Sequence, residues 1–224
     1  MASLLLVVAL SYLLGAVPFS LVVGRAMGVD LRQHGSGNAG ATNALRVLGK
    51  GTGLLVFLLD FAKGLTAVLL LSRLADVPAL TEAGVLGSRP ELVAAWVATI
   101  AGASAMIGHV VTIWGRLFFG SFKGGKGVAT GAGMLTGLAP IAVGIALVIF
   151  IGVMTATRYV SLSSILAAVS LPVVLVAMHL LGAESPPPVW VFGIVVPAFI
   201  VWTHRANVRR LLDGTESKMG STKA

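Results

Sequence analysis

Six apolar stretches, near residues 3–24, 51–74, 92–114, 128–156, 160–182 and 189–203, make up most of this chain. A helix needs about 20 mainly apolar residues to cross the hydrocarbon core of a bilayer. With 57% of residues hydrophobic and 11% charged, there is too little polar surface to cover a water-soluble globule. The sequence therefore predicts an all-α, polytopic transmembrane helix bundle. It excludes a disordered chain, a fibrous repeat and a soluble nucleic-acid binder. Cysteine is absent, which removes disulfides, thiolate-held metals and acyl-cysteine intermediates. No Lys or Arg precedes Arg25, so the first stretch reads as a spanning helix rather than a cleaved signal.

The stretch 128–156 is too long for one span. Gly137 and Pro140 interrupt it, and a proline removes an intrahelical hydrogen bond. Splitting it there gives seven helices, approximately 3–24, 51–74, 92–114, 128–138, 140–156, 160–182 and 189–203, within one domain over 1–224. A cytoplasmic tail follows from 204 to 224. Charge supports the split. Thirteen of the sixteen basic residues fall in 25–50, in 115–127, at Arg158 and in the tail, where Arg205, Arg209, Arg210, Lys218 and Lys223 lie. The positive-inside rule puts all of these on the cytoplasmic side only if 128–156 leaves and re-enters. The N-terminus is then outside and the C-terminus inside. The chain shows no internal repeat, unlike many transporters.

Three polar segments carry the chemistry. The first, Gly35 to Arg46, holds Ser36, Gly37, Asn38, Gly40, Thr42 and Asn43. Glycines let backbone amides converge on an anion, neutral side chains add donors, and Arg46 can fork onto two phosphate oxygens. A plain interhelical connection needs neither paired Asn nor an Arg. The second is Gly108-His109 followed by Lys123-Gly124-Gly125-Lys126-Gly127 and Thr130. A glycine turn with two Lys opening onto a helix N-terminus makes a phosphate cradle. It is not a nucleotide P-loop, because Gly127 stands where Ser or Thr would hold magnesium. His109 reads as a positioning group rather than a base. The third is Thr157 to Ser164, with Ser161 and Ser164 one turn apart and Ser163 between them. Capping and interhelical bonding are the ordinary roles of such residues.

In the tail, His204 and Asn207 share a helix face, while Arg209 and Arg210 turn away; Arg210 reads as a membrane-surface anchor. Asp60 and Lys63, at i and i+3 inside an apolar stretch, can pair as a structural or active-site ion pair. His179 receives no role.

Ser36-Gly-Asn-Ala-Gly-Ala-Thr-Asn43, Gly108-His109 with Lys123-Gly-Gly-Lys-Gly-Val-Ala-Thr130, and Thr157-x-Tyr159-x-Ser161-x-x-Ser164 resemble the three motifs of the bacterial integral-membrane acyl-phosphate:glycerol-3-phosphate acyltransferases (PlsY). The resemblance runs from about Leu13 to Asn207. One departure is Val110–Phe122, a longer spacer than usual, lacking the family's proline. The resemblance implies a seven-helix fold in the bacterial cytoplasmic (inner) membrane, with an active site facing the cytoplasm. It implies transfer of a fatty acyl group from acyl phosphate to the 1-hydroxyl of sn-glycerol 3-phosphate, giving lysophosphatidic acid and phosphate without acyl-CoA or acyl carrier protein as donor. A functional link to the enzyme that makes acyl phosphate follows.

Acyl phosphate is an activated donor, so no protein nucleophile is required and positioning with charge stabilisation remains. No His is followed by Asp five positions later, so the His-x-x-x-x-Asp base of other glycerol-phosphate acyltransferases is missing. A substrate phosphate oxygen is the expected proton acceptor. Ser36, Lys126, Ser164, His204 and Asn207 are the expected catalytic set, which binds and orients. No metal and no cofactor are expected, since Asp30, Asp213 and Glu216 are scattered. Membrane lipid is the expected surrounding, and no nucleic-acid partner is expected. A transporter of phosphate or organic phosphates is the alternative, although only Asp60 and Lys63 sit near a midplane.

Overall fold

The computed structural model describes residues 1–220, so Lys223 of the basic tail lies outside the described residues. The chain divides into two compact units, Met1–Leu138 with Pro186–Pro188, and Ala139–Ser185 with the chain from Val189. The first unit contains α1 (Ala2–Gly15), α2 (Phe19–Ala26), α3 (Ala41–Leu48), α4 (Lys50–Leu69), α5 (Val77–Glu82), α6 (Pro90–Val110), α7 (Ile113–Phe119) and α8 (Val128–Leu138). The second contains α9 (Pro140–Thr157), α10 (Val160–Leu180), most of α11 (Pro187–Thr203) and α12 (Arg205–Leu212). The described residues form no strand, only an isolated antiparallel bridge between Val111 and Lys123.

Among the described residues, five helical segments are long and apolar enough to span a bilayer: Ala2–Ala26, Lys50–Leu74, Pro90–Val110, Pro140–Thr157 and Val160–Leu180. Together α11 and α12 make a sixth candidate, bent by 59°. At 11 residues α8 is shorter than a span. Pro140 opens α9 in its first turn, where a missing N–H is harmless. The polar breaks are not plain loops: α3, α5 and α7 lie within or beside them and α12 starts the tail.

In the first unit α1 packs on α6, and α4 on α8. Both interfaces need glycine, because lipid offers no hydrophobic force between helices and close backbone approach must supply the contact. A Cβ at Gly15 would strike the Ala105 backbone, and one at Gly64 the Thr130 carbonyl. One core gathers Val7, Ala67, Leu80, Val93, Val97, Ala101 and Ala105. A second, of Leu21, Leu31, Ala39, Ala44 and Val56, underlies the first polar segment.

The first span breaks between Gly15 and Phe19, where Pro18 has no N–H to continue the ladder. The carbonyls released there are met by side chains from distant elements. Lys63 Nζ donates to the Val17 carbonyl at 2.9 Å, and Trp114 Nε1 to that of Leu13 at 2.9 Å. The Thr112 hydroxyl donates to the Ala16 carbonyl, and Tyr12 returns a bond to the Val111 carbonyl at 2.9 Å. The Val17 carbonyl also accepts the Phe19 N–H at 3.1 Å; each of the other three bonds removes a polar orphan that hydrocarbon would penalise. They also tie the segment after α6 to the first span.

Candidate active site

The first polar segment is organised by a buried amide. Asn43, in the first turn of α3, accepts the Ser36 N–H at 2.8 Å and the Ser36 hydroxyl at 3.2 Å on Oδ1. Its Nδ2 donates to the Leu31 and His34 carbonyls at 2.8 and 3.1 Å. Asn43 therefore folds the loop back on itself. Gly37, with φ +67°, makes a turn that L side chains resist. Gly40 is extended and precedes α3 as its N-cap, its N–H given to the Asn38 carbonyl at 3.0 Å. Thr42 is half-buried in the first turn of α3, and Arg46 lies in the last.

Sequence reasoning missed the brace on this loop. Arg32 donates to Asp30 through Nε at 2.9 Å and Nη2 at 2.6 Å, and through Nη1 to the Phe119 carbonyl. The Arg32 hydrogen bonds hold the Asp30 carboxyl down at about 2, and Asp30 in turn holds the guanidinium above its ordinary value. A D-x-R spacing in a glycine-rich loop was the available signal.

The second polar segment returns to the end of α6. Gly124 N–H donates to the Val110 carbonyl at 2.9 Å, and Gly125 N–H to that of His109 at 3.1 Å. Of the amides in the expected glycine cradle, these two are spent on α6. The amides that no helix carbonyl can satisfy are those of Val128, Ala129 and Thr130 in the first turn of α8, since the first α8 bond runs from Gly131 to Gly127 at 2.7 Å. That turn is suited to an anion. Gly127 has φ +83°, Lys126 is half-buried and Lys123 exposed. The Thr130 hydroxyl is buried and has no hydrogen-bond partner among the described residues.

Gly125 is where the two segments meet. A Cβ there would overlap the His109 ring and come within 3.0 Å of the Ala39 carbonyl oxygen. Behind His109 stands the ion pair anticipated between Asp60 and Lys63, 2.9 Å apart and buried. His109 Nδ1 lies 3.4 Å from the same Asp60 oxygen. The carboxylate thus faces both a helix neighbour and the residue beside the turn.

In the second unit, Glu216 is a hub the sequence left scattered. Its Oε1 accepts from Ser161 Oγ and Asn207 Nδ2, each at 2.7 Å, and its Oε2 from Arg210 Nε at 2.7 Å. Burial pushes this carboxyl up, but the bonds from Ser161, Asn207 and Arg210 outweigh burial and hold it below its ordinary value. Arg210 is therefore an ion-pair partner and not simply a surface anchor. Ser163 and Ser164 are buried and bond back to the carbonyls of Tyr159 and Val160 at 2.8 and 2.9 Å. His204 stands at the N-cap of α12, with Nδ1 2.8 Å from the Ile200 carbonyl. A carbonyl only accepts, so Nδ1 carries the hydrogen. The described residues contain no group of three or more His, Cys, Asp or Glu placed to hold a metal.

The glycerol-3-phosphate acyltransferase family model matches residues 5–214. A glycerol-3-phosphate acyltransferase of Chlorobaculum parvum is 41% identical over 98% of this chain and 97% of its own length. The Salinibacter ruber enzyme of that name is 42% identical over 99% of this chain and 94% of its own. Crystal structures of PlsY, an integral membrane glycerol 3-phosphate acyltransferase, resemble the fold in two forms. The glycerol 3-phosphate form has a TM-score of 0.77 at 38% identity, covering 97% of this chain and 96% of that one. The lysophosphatidic acid form has 0.75 at 37%, with the same coverage. The likeness extends over nearly the whole chain, both units included, and so this protein belongs to the glycerol-3-phosphate acyltransferase family.

Proposed function

We infer that this chain transfers a fatty acyl group from acyl phosphate to the 1-hydroxyl of sn-glycerol 3-phosphate, releasing lysophosphatidic acid and inorganic phosphate. The observation that carries the reading is the meeting of the two glycine-rich segments at Gly125, beside the first turn of α8. Two phosphate-bearing substrates need such a concentration of amides and cations, and family membership supplies the acyl transfer.

The 1-hydroxyl oxygen attacks the acyl carbon, the bond from that carbon to the phosphate oxygen breaks, and phosphate leaves. The hydroxyl proton passes to a substrate phosphate oxygen. No His here has Asp five positions later, and a good leaving group lowers the demand on a base. In the first unit Ser36 and Lys126 bind and orient, with Gly37, Asn38, Gly40, Thr42, Asn43, Arg46, His109, Lys123, Gly124, Gly125, Gly127 and Thr130 shaping and charging the phosphate region. In the second unit Ser164, His204 and Asn207 orient substrate, with Ser161 and Ser163 beside them.

The same reading gives seven spans in the bacterial inner membrane, N-terminus outside and C-terminus inside, from the placement of Lys and Arg. The short apolar α8 would then serve as one of the seven. An enzyme that makes acyl phosphate is the functional neighbour. Donor choice tests the proposal: purified protein is given glycerol 3-phosphate with palmitoyl phosphate, palmitoyl-CoA or palmitoyl-acyl carrier protein. Lysophosphatidic acid from palmitoyl phosphate alone is expected. Turnover of palmitoyl-CoA at an equal rate would overturn the donor assignment.

A further inference from the structure

We propose that Asp60 and Lys63 are positioning residues for the glycine-rich turn and act on it through His109, which rests on the reading that this turn binds a substrate phosphate. Neither side chain can touch a substrate in this arrangement, since both are almost fully buried inside the first unit. A buried ion pair is weak evidence of a stabilising role, because desolvation offsets most of its attraction. What the pair does is join elements. Lys63 holds the Val17 carbonyl at the break in the first span at 2.9 Å. Asp60 faces His109 Nδ1 at 3.4 Å with the oxygen that also faces Lys63 at 2.9 Å.

The orientation of His109 follows from charge. A lone pair on Nδ1 would be repelled by the carboxylate, so Nδ1 carries a hydrogen toward Asp60 and the far edge of the ring lies at Gly125. There the packing has no slack. A Cβ on Gly125 would sit 2.7 Å from His109 Cε1 and 3.0 Å from the Ala39 carbonyl oxygen, while the Gly125 N–H bonds to the His109 carbonyl at 3.1 Å. A ring released from Asp60 would rotate into the glycine or away from it. Either movement displaces Gly125, and with it Lys126 and the first turn of α8, relative to the Asn38–Gly40 segment.

The test measures kcat, KM for both substrates and melting temperature for Asp60→Asn, for Asp60→Asn combined with Lys63→Met, and for His109→Ala. The double variant removes both charges together, a change buried pairs often tolerate; His109→Ala keeps the pair and deletes the ring. The expected result is a KM for at least one phosphate substrate raised about tenfold or more, with kcat per folded molecule reduced by less. Melting temperature in the double variant should stay near that of the parent. Wild-type KM in folded double variant, or in His109→Ala, would overturn the proposal and leave the pair a structural element only. Failure of the underlying reading looks different: the unmodified protein would itself make no lysophosphatidic acid from palmitoyl phosphate.

Discussion

The N–H of Gly125 donates to the carbonyl of His109 at 3.1 Å while the same glycine lies against the His109 ring. A methyl group cannot enter that space without moving the turn. Gly125→Ala should therefore lower kcat/KM by about a hundredfold, mostly through KM, as expected when a binding group is displaced by an ångström. The melting temperature should fall as well, because the methyl group overpacks a buried site at the cost of about 1–3 kcal/mol, even though the Gly125 φ adds no strain of its own. Steady-state kinetics with each substrate varied in turn checks this.

Glu216 accepts bonds from Ser161, Asn207 and Arg210. Glu216→Gln places an N–H where the carboxylate accepted, opposite at least one donor. The loss should be about 2–3 kcal/mol of stability, the scale of a charge-assisted bond. Ser161→Ala removes one donor and should cost about 1 kcal/mol. Denaturation in detergent of the two variants gives the ranking; equal melting of Glu216→Gln and the parent would contradict the hub.

Asn43 ties Ser36, Leu31 and His34 together. Asn43→Ala leaves the Leu31 carbonyl and the Ser36 amide without their partner and should destabilise by about 2–4 kcal/mol. Activity should fall further than folded yield, because Ser36 loses its placement. The ratio of activity to folded protein is the readout.

Acid stability follows from two carboxyls held below their ordinary values, Asp30 at about 2 and Glu216. A depressed carboxyl contributes stability above its unfolded value and loses it as pH falls through the folded one. For Asp30 that window runs from 3.8 down to about 2. Glu216 loses its share from the ordinary glutamate range downward. Melting should be flat with respect to these groups at neutral pH and decline below about pH 4, with a shallower decline in Asp30→Asn.

If a substrate phosphate takes the proton, neither His109→Ala nor His204→Ala should move the pH at which kcat/KM rises, although both can lower its height. Removing a histidine that acts as the base would instead abolish the pH-dependent limb itself. A profile measured from pH 5.5 to 8.5 distinguishes the two.

The membrane class and the polar segments were legible because each has a strong signal. Long apolar runs have one physical use, and Pro140 marks the break between α8 and α9. The Asp60–Lys63 pair was legible from spacing alone, since i and i+3 must be neighbours on a helix. Long-range hydrogen bonding was not. Glu216 reaches Ser161 across 55 positions, and a lone Glu in a basic tail carries no period or spacing to announce it. The use of the Gly124 and Gly125 amides was also hidden: glycine density says that a backbone can approach closely, not which carbonyl it approaches. Short helices such as α7, seven residues between polar groups, lack the length for a periodic signal.

The most direct test of the account is phosphate release by the purified protein in lipid, given palmitoyl phosphate with and without glycerol 3-phosphate, alongside Lys126→Ala. The account predicts release that requires both substrates, matches lysophosphatidic acid mole for mole, and is lost in the variant. Release that is independent of glycerol 3-phosphate, or undiminished in Lys126→Ala, would contradict it.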